Sequence, residues 1–126
     1  MGAQPGRLIQ VNGVVPGHAN RFDFNLQDGP GAYPPNINFH FSCRFDQNAI
    51  VRNHSRHGGW GSEERHGHVP FQRGAPFELL ILIEPHEFKV AVNGQHYTTF
   101  AHRNQLHEAN HFAVNGDVQL TSVRQF

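Results

Sequence analysis

The stretch FKVAVNGQHYTTF, residues 88–100, decides the fold class of this chain. Apolar and polar side chains alternate up to residue 92, and a second run rich in β-forming residues follows the pair Asn93-Gly94. Asn followed by Gly supplies the two residues with positive φ that a type I′ turn requires. The stretch therefore predicts a β-hairpin with strands over residues 88–92 and 95–100.

Other segments repeat the β pattern. Residues 8–14, 21–26 and 118–123 alternate polar and apolar side chains, and an apolar run over residues 77–83 is bounded by prolines. No window places apolar residues at i, i+3, i+4 and i+7, and the 13 glycines and 8 prolines interrupt every candidate helix. Short strands separated by turn residues predict an all-β sandwich, and 126 residues without a linker or repeat predict one domain over residues 1–126.

The composition narrows the classes of function. Ten Lys and Arg balance ten Asp and Glu, without basic runs, which argues against nucleic acid or a membrane surface as a partner. No apolar run reaches the ~20 residues of a membrane span, and the first residues lack the apolar region of a secretory signal. Cys43 is the only cysteine, so no internal disulfide forms. We expect a cytoplasmic protein, with export by a route that needs no signal peptide as the alternative.

Eleven histidines are scattered along the chain. His66 and His68 form an H-x-H pair, and His54 and His57 are three residues apart. Residues i and i+2 of a strand share a face and can share a metal, but neither pair has a cysteine or an acidic motif beside it. Surface imidazoles are therefore the preferred interpretation, and we expect neither a metal nor another cofactor.

Residues 39–65 gather the only tryptophan with several charged and amide side chains. On a strand over residues 39–45, alternation sends one set of side chains into the core, namely Phe39, Phe41, Cys43 and Phe45. The other face then carries His40, Ser42 and Arg44. The same parity argument adds Asn53, Glu63 and Arg65 to this face and turns Glu64 away, while the glycine-rich loop before Trp60 lets the indole fold over the sheet.

This set of side chains suits a carbohydrate. A pyranose has an edge of hydroxyl groups and a patch of C–H bonds on one ring face, and a flat indole covers such a patch. Glu63 can hold Arg44 and Arg65 while it accepts hydrogen bonds from sugar hydroxyls, and hydrogen bonds to charged groups are the stronger kind. His40 beside Arg44 would discriminate an axial hydroxyl, because the wrong epimer leaves both groups unpaired.

With these motifs in order, the chain resembles the galectins, a family of β-galactoside-binding lectin domains. The family pattern His-x-Asn-x-Arg, Val-x-Asn and Trp-x-x-Glu-x-Arg appears here as His40-Phe-Ser-Cys-Arg44, Val51-Arg-Asn53 and Trp60-Gly-Ser-Glu63-Glu-Arg65. Residues 69–79, 88–96, 102–103 and 116–120 also match the family. The resemblance implies a jelly-roll sandwich of two antiparallel sheets, a single carbohydrate-recognition domain, and no catalysis.

The resemblance also implies roles for the site residues. His40 and Arg44 would contact the galactose 4-hydroxyl, and Arg44 would reach the ring oxygen. Asn53 and Glu63 would hold the 6-hydroxyl, and Trp60 would stack on the ring. Glu63 and Arg65 would reach the neighbouring glucose or N-acetylglucosamine of lactose or N-acetyllactosamine.

Ser42 departs from the family, which has Asn at this position, and Cys43 replaces a proline. Serine carries one short hydroxyl where asparagine carries a longer amide, so we expect Ser42 to cost about 1 kcal/mol of lactose binding or less. The alternative is a galectin-like structural or protein-interaction module whose sugar binding is weakened or altered. The short connection at residues 46–48 is expected to open one end of the groove, where Arg52, His54 and Arg56 are candidate lining residues.

An enzyme is not expected. A glycosidase needs two carboxyl groups about 5–10 Å apart across the scissile bond, whereas only Glu63 belongs to the predicted face. The expected partners are β-galactoside glycans of glycoproteins or glycolipids. A homodimer formed by the alternating ends, residues 8–14 and 118–123, or a second domain in a tandem chain would cross-link glycans. His40 in the groove is expected to make binding depend on pH.

Overall fold

Two five-stranded antiparallel sheets face each other in the computed structural model, which describes residues 3–126. The strands, in chain order, are β1 Leu8–Val14, β2 Arg21–Gln27, β3 Ile37–Arg44, β4 Ala49–Arg56, β5 Gly59–Trp60, β6 Pro76–Ile83, β7 Glu87–Val92, β8 Gln95–Ala101, β9 His111–Gly116 and β10 Gln119–Gln125. The front sheet has the order β5-β4-β3-β2-β9, and the back sheet has the order β10-β1-β6-β7-β8. The predicted all-β sandwich is therefore confirmed.

Phenylalanines join the two sheets. Phe39 of the front sheet stacks on Phe88 of the back sheet with ring centroids 5.0 Å apart, and on Phe100 at 4.9 Å. All three side chains are at most 1% exposed. Burying a side chain of this size stabilises the fold by about 1.5–3 kcal/mol, so the stacked rings hold the front sheet firmly against its support.

The hairpin predicted over residues 88–100 is present. β7 pairs with β8, and Asn93 and Gly94 have φ values of 52° and 80° between them. The Asn93 side chain also accepts a hydrogen bond from the backbone N–H of Glu78 at 2.9 Å. The turn is thus tied to β6, the neighbouring strand of the back sheet.

The strand predicted over residues 39–45 is slightly shorter at its end than expected. Phe39, Phe41 and Cys43 are buried as predicted, but Phe45 lies in a 3₁₀ turn over Phe45–Gln47. This turn ends at Asn48, whose left-handed backbone (φ 49°) lets its N–H bond to the carbonyl of Phe45 at 3.2 Å. Phe45 still packs against the core, so only its secondary structure was wrong.

The two ends of the chain pair with each other. β1 lies between β10 and β6, and β10 forms an edge of the back sheet. Of the two ends named for a homodimer, β1 is already paired on both sides, so only β10 lies at a sheet edge. Within residues 3–126, no helix is long and apolar enough to cross a membrane.

Candidate functional site

The site lies on the face of the front sheet that points away from the core. His40 on β3 pairs directly with Asn53 on β4 and with Asn25 on β2. One step along, Ser42 pairs with Asp23, and a further step brings Arg44 opposite Arg21. Directly paired residues in antiparallel strands point to the same face, so the three strands gather a dense polar surface.

A groove of about 420 Å³ opens on this surface. Its lining comprises Arg21, His40, Arg44, Asn53, Trp60, Gly61 and Glu63. The volume falls within the range of about 300–1,000 Å³ that is typical of small-ligand sites. Five of the seven predicted site residues therefore line one groove, whereas Ser42 and Arg65 do not belong to its lining.

His40 forms part of the groove but is only 1% exposed. Its Nδ1 lies 2.7 Å from Oδ1 of Asn25, an atom that can only accept a hydrogen bond. Nδ1 must therefore carry the proton, which leaves Nε2 as an acceptor. In the described part of the chain, this buried Nε2 has no hydrogen-bond partner.

The charge state of His40 follows from this burial. Burial lowers the pKa of His40 to about 4, against the raising effect of Asp23 and together with the positive charges of Arg21 and Arg44. The imidazole is therefore neutral at physiological pH. The pH dependence of sugar binding that is expected from His40 should therefore occur at a more acidic pH than for an ordinary histidine.

Ser42 lies beneath the groove with no solvent exposure. Its Oγ accepts a hydrogen bond from Nε of Arg44 at 3.2 Å. Burial raises the pKa of the neighbouring Asp23, but hydrogen bonds from Ser42 and Tyr33 and the charge of Arg21 hold it below its usual value. Ser42 thus links an anionic Asp23 to the Arg44 guanidinium instead of facing the groove.

Glu63 sits between two guanidinium groups, as the sequence predicted. Its Oε1 accepts a hydrogen bond from Nε of Arg65 at 2.8 Å, and its Oε2 lies 4.0 Å from Nη1 of Arg44. The hydrogen bond from Arg65 lowers the pKa of Glu63, with a further contribution from the charge of Arg44. Arg65 also donates to Gln47 at 2.8 Å, so it stands outside the groove and holds Glu63 in place.

Trp60 covers part of the site from strand β5. Half of its surface is exposed, and its ring centroid lies 4.8 Å from that of His40. A Cβ on the following residue, Gly61, would meet the His54 ring at 2.1 Å, so any other residue here would displace that imidazole. The half-exposed indole is therefore available to a ligand at the polar groove.

Arg103 organises the segment after Trp60. Its Nη1 donates to Oδ1 of Asn53 at 3.3 Å and to the carbonyl of Ser62 at 2.8 Å, and its Nη2 donates to Glu64 at 2.9 Å. Asn53 also donates from Nδ2 to the carbonyl of Gly61 at 2.9 Å. Arg103 therefore fixes the orientation of the Asn53 amide, and Glu64 is turned away from the groove as predicted.

Arg52 corrects the expectation about the open end of the groove. It is fully buried, and its guanidinium donates to the carbonyls of Ile50 and His66, both at 2.8 Å. Arg52 pairs with Phe41, so its parity sends it to the core side, away from the groove. His54 accepts a hydrogen bond from Arg103 at 3.1 Å, and Arg56 is exposed at the end of β4.

The histidine pairs do not form a larger cluster. His66 contacts Arg52, and His68 packs edge-on against Tyr97. Among residues 3–126, no three His, Cys, Asp or Glu side chains are grouped so that they could hold a metal ion.

Sequence reasoning missed several residues of the site, namely Arg21, Asp23, Asn25, Tyr33, Gly61 and Arg103. A signal was present for three of them. Arg21-Phe-Asp-Phe-Asn alternates, so Arg21, Asp23 and Asn25 share one face, and pairing this run with residues 40–44 would have placed them beside the groove.

The fold and the groove together define a carbohydrate-binding sandwich, and comparisons with solved structures agree. Sheep galectin-11, solved in complex with glycerol, superposes with a TM-score of 0.90 at 27% identity, covering 100% of this chain and 93% of the other. A galectin from Caenorhabditis elegans superposes with a TM-score of 0.88 at 29% identity, covering 100% and 88%. The predicted jelly-roll arrangement is thus confirmed.

Sequence comparison identifies the family. Residues 1–125 match the galactoside-binding lectin family, and human galectin-7 is 42% identical over 125 residues, which cover 99% of this chain and 91% of that protein. The chain belongs to the galactoside-binding lectin family, the galectins. It also matches a 32 kDa beta-galactoside-binding lectin of C. elegans at 38% identity, but spans only 43% of that relative. Membership confirms the predictions of a lectin with glycan partners and of a protein that is not an enzyme.

Proposed function

We propose that the groove binds β-galactosides of the lactose and N-acetyllactosamine type, with galactose against Trp60. The observation that carries this proposal is the unpartnered Nε2 of His40, a buried acceptor at a groove that also contains a guanidinium and a half-exposed indole. Leaving a buried acceptor unpaired costs about 1–3 kcal/mol, which a ligand hydroxyl recovers.

Three polar groups of galactose find partners in this arrangement: the 4-hydroxyl, the ring oxygen and the 6-hydroxyl. The 4-hydroxyl donates to Nε2 of His40 and accepts from Arg44, which also reaches the ring oxygen. Asn53 and Glu63 hold the 6-hydroxyl. Glu63 and Arg65 extend to the second sugar, which explains why Arg65 lies beyond the lining of the groove.

Discrimination of galactose from glucose follows from the same groups. The two sugars differ in the orientation of the 4-hydroxyl, which is axial in galactose. An equatorial hydroxyl would point away from the imidazole, leaving Nε2 buried without a partner and Arg44 without its acceptor. Sites that hydrogen-bond a particular hydroxyl reject analogues that lack it far more strongly than apolar pockets do.

Calorimetric titration with lactose tests the proposal, with maltose as the control sugar. We expect saturable lactose binding, a change in the fluorescence of Trp60, the only tryptophan, and no response to maltose. Arg44→Met should abolish binding, whereas Arg124→Met on the exposed edge strand β10 should retain it. Equal responses to lactose and maltose, or lactose binding by Arg44→Met, would contradict the proposal.

One observation favours a second candidate, a galectin-like module with weakened or altered sugar binding. The Ser42 hydroxyl is buried and already bonded to Arg44, so it offers nothing to a ligand. This candidate predicts no lactose response at millimolar sugar while the protein remains folded. The retained Trp60, Glu63 and Arg65 favour the lectin.

Cross-linking of glycans on glycoproteins or glycolipids requires two sites per particle. A homodimer through the outer edge of β10 is supported by three exposed apolar side chains near it, Leu120, Val123 and Phe126. A tandem chain is the other route, and this chain spans 40% and 37% of two further relatives. Light scattering during gel filtration tests for the β10 dimer. If it forms, Val123→Lys should convert it to a monomer without changing lactose affinity.

The compartment is a proposal of the same kind. A cytoplasmic location, with export by a route that needs no signal peptide, is supported by a single cysteine that is buried and unpaired. Fractionation of producing cells with an antibody to the chain would test it, and an exclusively secreted pool would contradict the cytoplasmic location.

A further inference from the structure

The connection between β2 and β3 folds back over the front sheet. Side chains of β2 and β9 hold its residues 29–33, which we call the crossing segment. The carbonyl of Ala32 accepts hydrogen bonds from Asn25 and Asn115, each at 3.3 Å. Gln27, which is fully buried, donates to the carbonyls of Gly29 and Gly31 at 3.0 and 2.6 Å. The segment is therefore fixed on the sheet by three side-chain amides, two of which, Asn25 and Gln27, are buried.

Tyr33 ends the crossing segment beside the groove. Its hydroxyl donates to Oδ2 of Asp23, a carboxylate that is 2% exposed. Its ring centroid lies 6.0 Å from that of His40 and 6.4 Å from that of Trp60. Tyr33 thus stands on the β2 side of His40, whereas Glu63 and Arg65 lie on the β4 side.

The stereochemistry of galactose indicates which hydroxyl faces Tyr33. With the 4-hydroxyl on His40 and the glycosidic bond directed to Glu63 and Arg65, the third ring carbon lies on the side remote from the second sugar. Its hydroxyl therefore points past His40 towards β2, where the crossing segment lies.

We propose that Tyr33 and the crossing segment close this end of the groove, so that the protein selects terminal galactose with a free 3-hydroxyl. This inference rests on the proposed function. Extensions at the glucose side remain open to solvent past Arg65, whose side chain is 43% exposed. A sugar attached to the 3-hydroxyl would instead meet the Tyr33 ring, which lies edge-on against the rings of His40 and Trp60.

Calorimetry with three neutral ligands tests the inference: lactose, lactose carrying α-galactose on its 3′-hydroxyl, and p-nitrophenyl β-lactoside. Neutral ligands separate shape from the charge of nearby Arg21. We expect the 3′-extended trisaccharide to bind at least tenfold more weakly than lactose and the nitrophenyl lactoside to bind as well as lactose. Tyr33→Ala should reduce the discrimination to threefold or less, and Tyr33→Phe, which keeps the ring, should retain most of it.

Three other results are possible, and each would overturn a different part of the reasoning. Equal affinity of the wild-type protein for lactose and the trisaccharide would overturn the inference and leave the proposed function intact. Unchanged discrimination in Tyr33→Ala would remove Tyr33 as its cause. Absence of lactose binding by the folded wild-type protein would overturn the proposed function and this inference with it.

Discussion

Lowering the pH from 7 to 5 should destabilise the protein through His40. The pKa of His40 is about 4 in the folded protein and 6.5 in the unfolded chain. Between these values the unfolded chain binds a proton that the folded protein excludes, so stability falls as the pH drops below 6.5. The loss grows by about 1.4 kcal/mol per pH unit and ends near pH 4.

The structure thus predicts a loss of about 2 kcal/mol at pH 5 from this one group. The groups that face His40 do not offset this loss. The pKa of Asp23 is lowered from 3.8, so Asp23 stays ionised over the whole interval, and Arg21 and Arg44 stay charged. The pKa of Glu63 is lowered from 4.5, which also places its titration below the interval.

Urea unfolding at pH 7 and pH 5 measures the effect, with His40→Gln as the matched variant. The variant removes the titrating group and leaves the other ten histidines, so its own loss over the interval is the reference. The wild-type protein should lose about 2 kcal/mol more than the variant. A difference below about 0.5 kcal/mol would mean that His40 is not held neutral by its burial, and the argument for an acceptor Nε2 would fail with it.

Three further substitutions have expected effects on lactose affinity, measured by calorimetry. Ser42→Asn should strengthen binding by up to about 1 kcal/mol, since a longer amide reaches past the buried hydroxyl position, and unchanged affinity would show that Ser42 costs nothing. Glu63→Gln should weaken binding about tenfold or more, because the guanidinium groups of Arg44 and Arg65 lose their anion. Glu87→Gln on the back sheet serves as the control. Arg103→Met should weaken binding and lower the fluorescence anisotropy of the indole, whereas Arg103→Lys should recover part of both. Equal losses in these two variants would indicate a purely structural role.

Local alternation explains most of what the sequence predicted about the site. His40 and Arg44 are two steps of a period-2 pattern apart, and Asn53 comes next to them through the adjacent strand. Glu63 followed from its parity with Arg65, and Trp60 from the glycine-rich loop before it, because the strand that holds Trp60 has only two residues and shows no pattern of its own.

The contacts that the sequence did not reveal either join residues far apart in the chain or bury a residue type that is ordinarily exposed. Arg103 reaches Asn53 across 50 residues, and Tyr33 meets Asp23 only because a loop folds back over the sheet. Arg52 stands at a core parity, but a guanidinium is ordinarily placed in water, and only the carbonyls of Ile50 and His66 together make its burial understandable.

The placement of Trp60 has a dynamic consequence. The indole sits on a strand of two residues that pairs only with Ser55 and Arg56, and it leans over an imidazole nitrogen that is sealed from solvent. Two residue pairs restrain the ring less than the long strands restrain His40 and Asn53, so we expect the indole to move faster than the polar floor of the groove. A sugar that stacks on the ring should slow this motion. Time-resolved fluorescence anisotropy of Trp60, with and without lactose, measures the change.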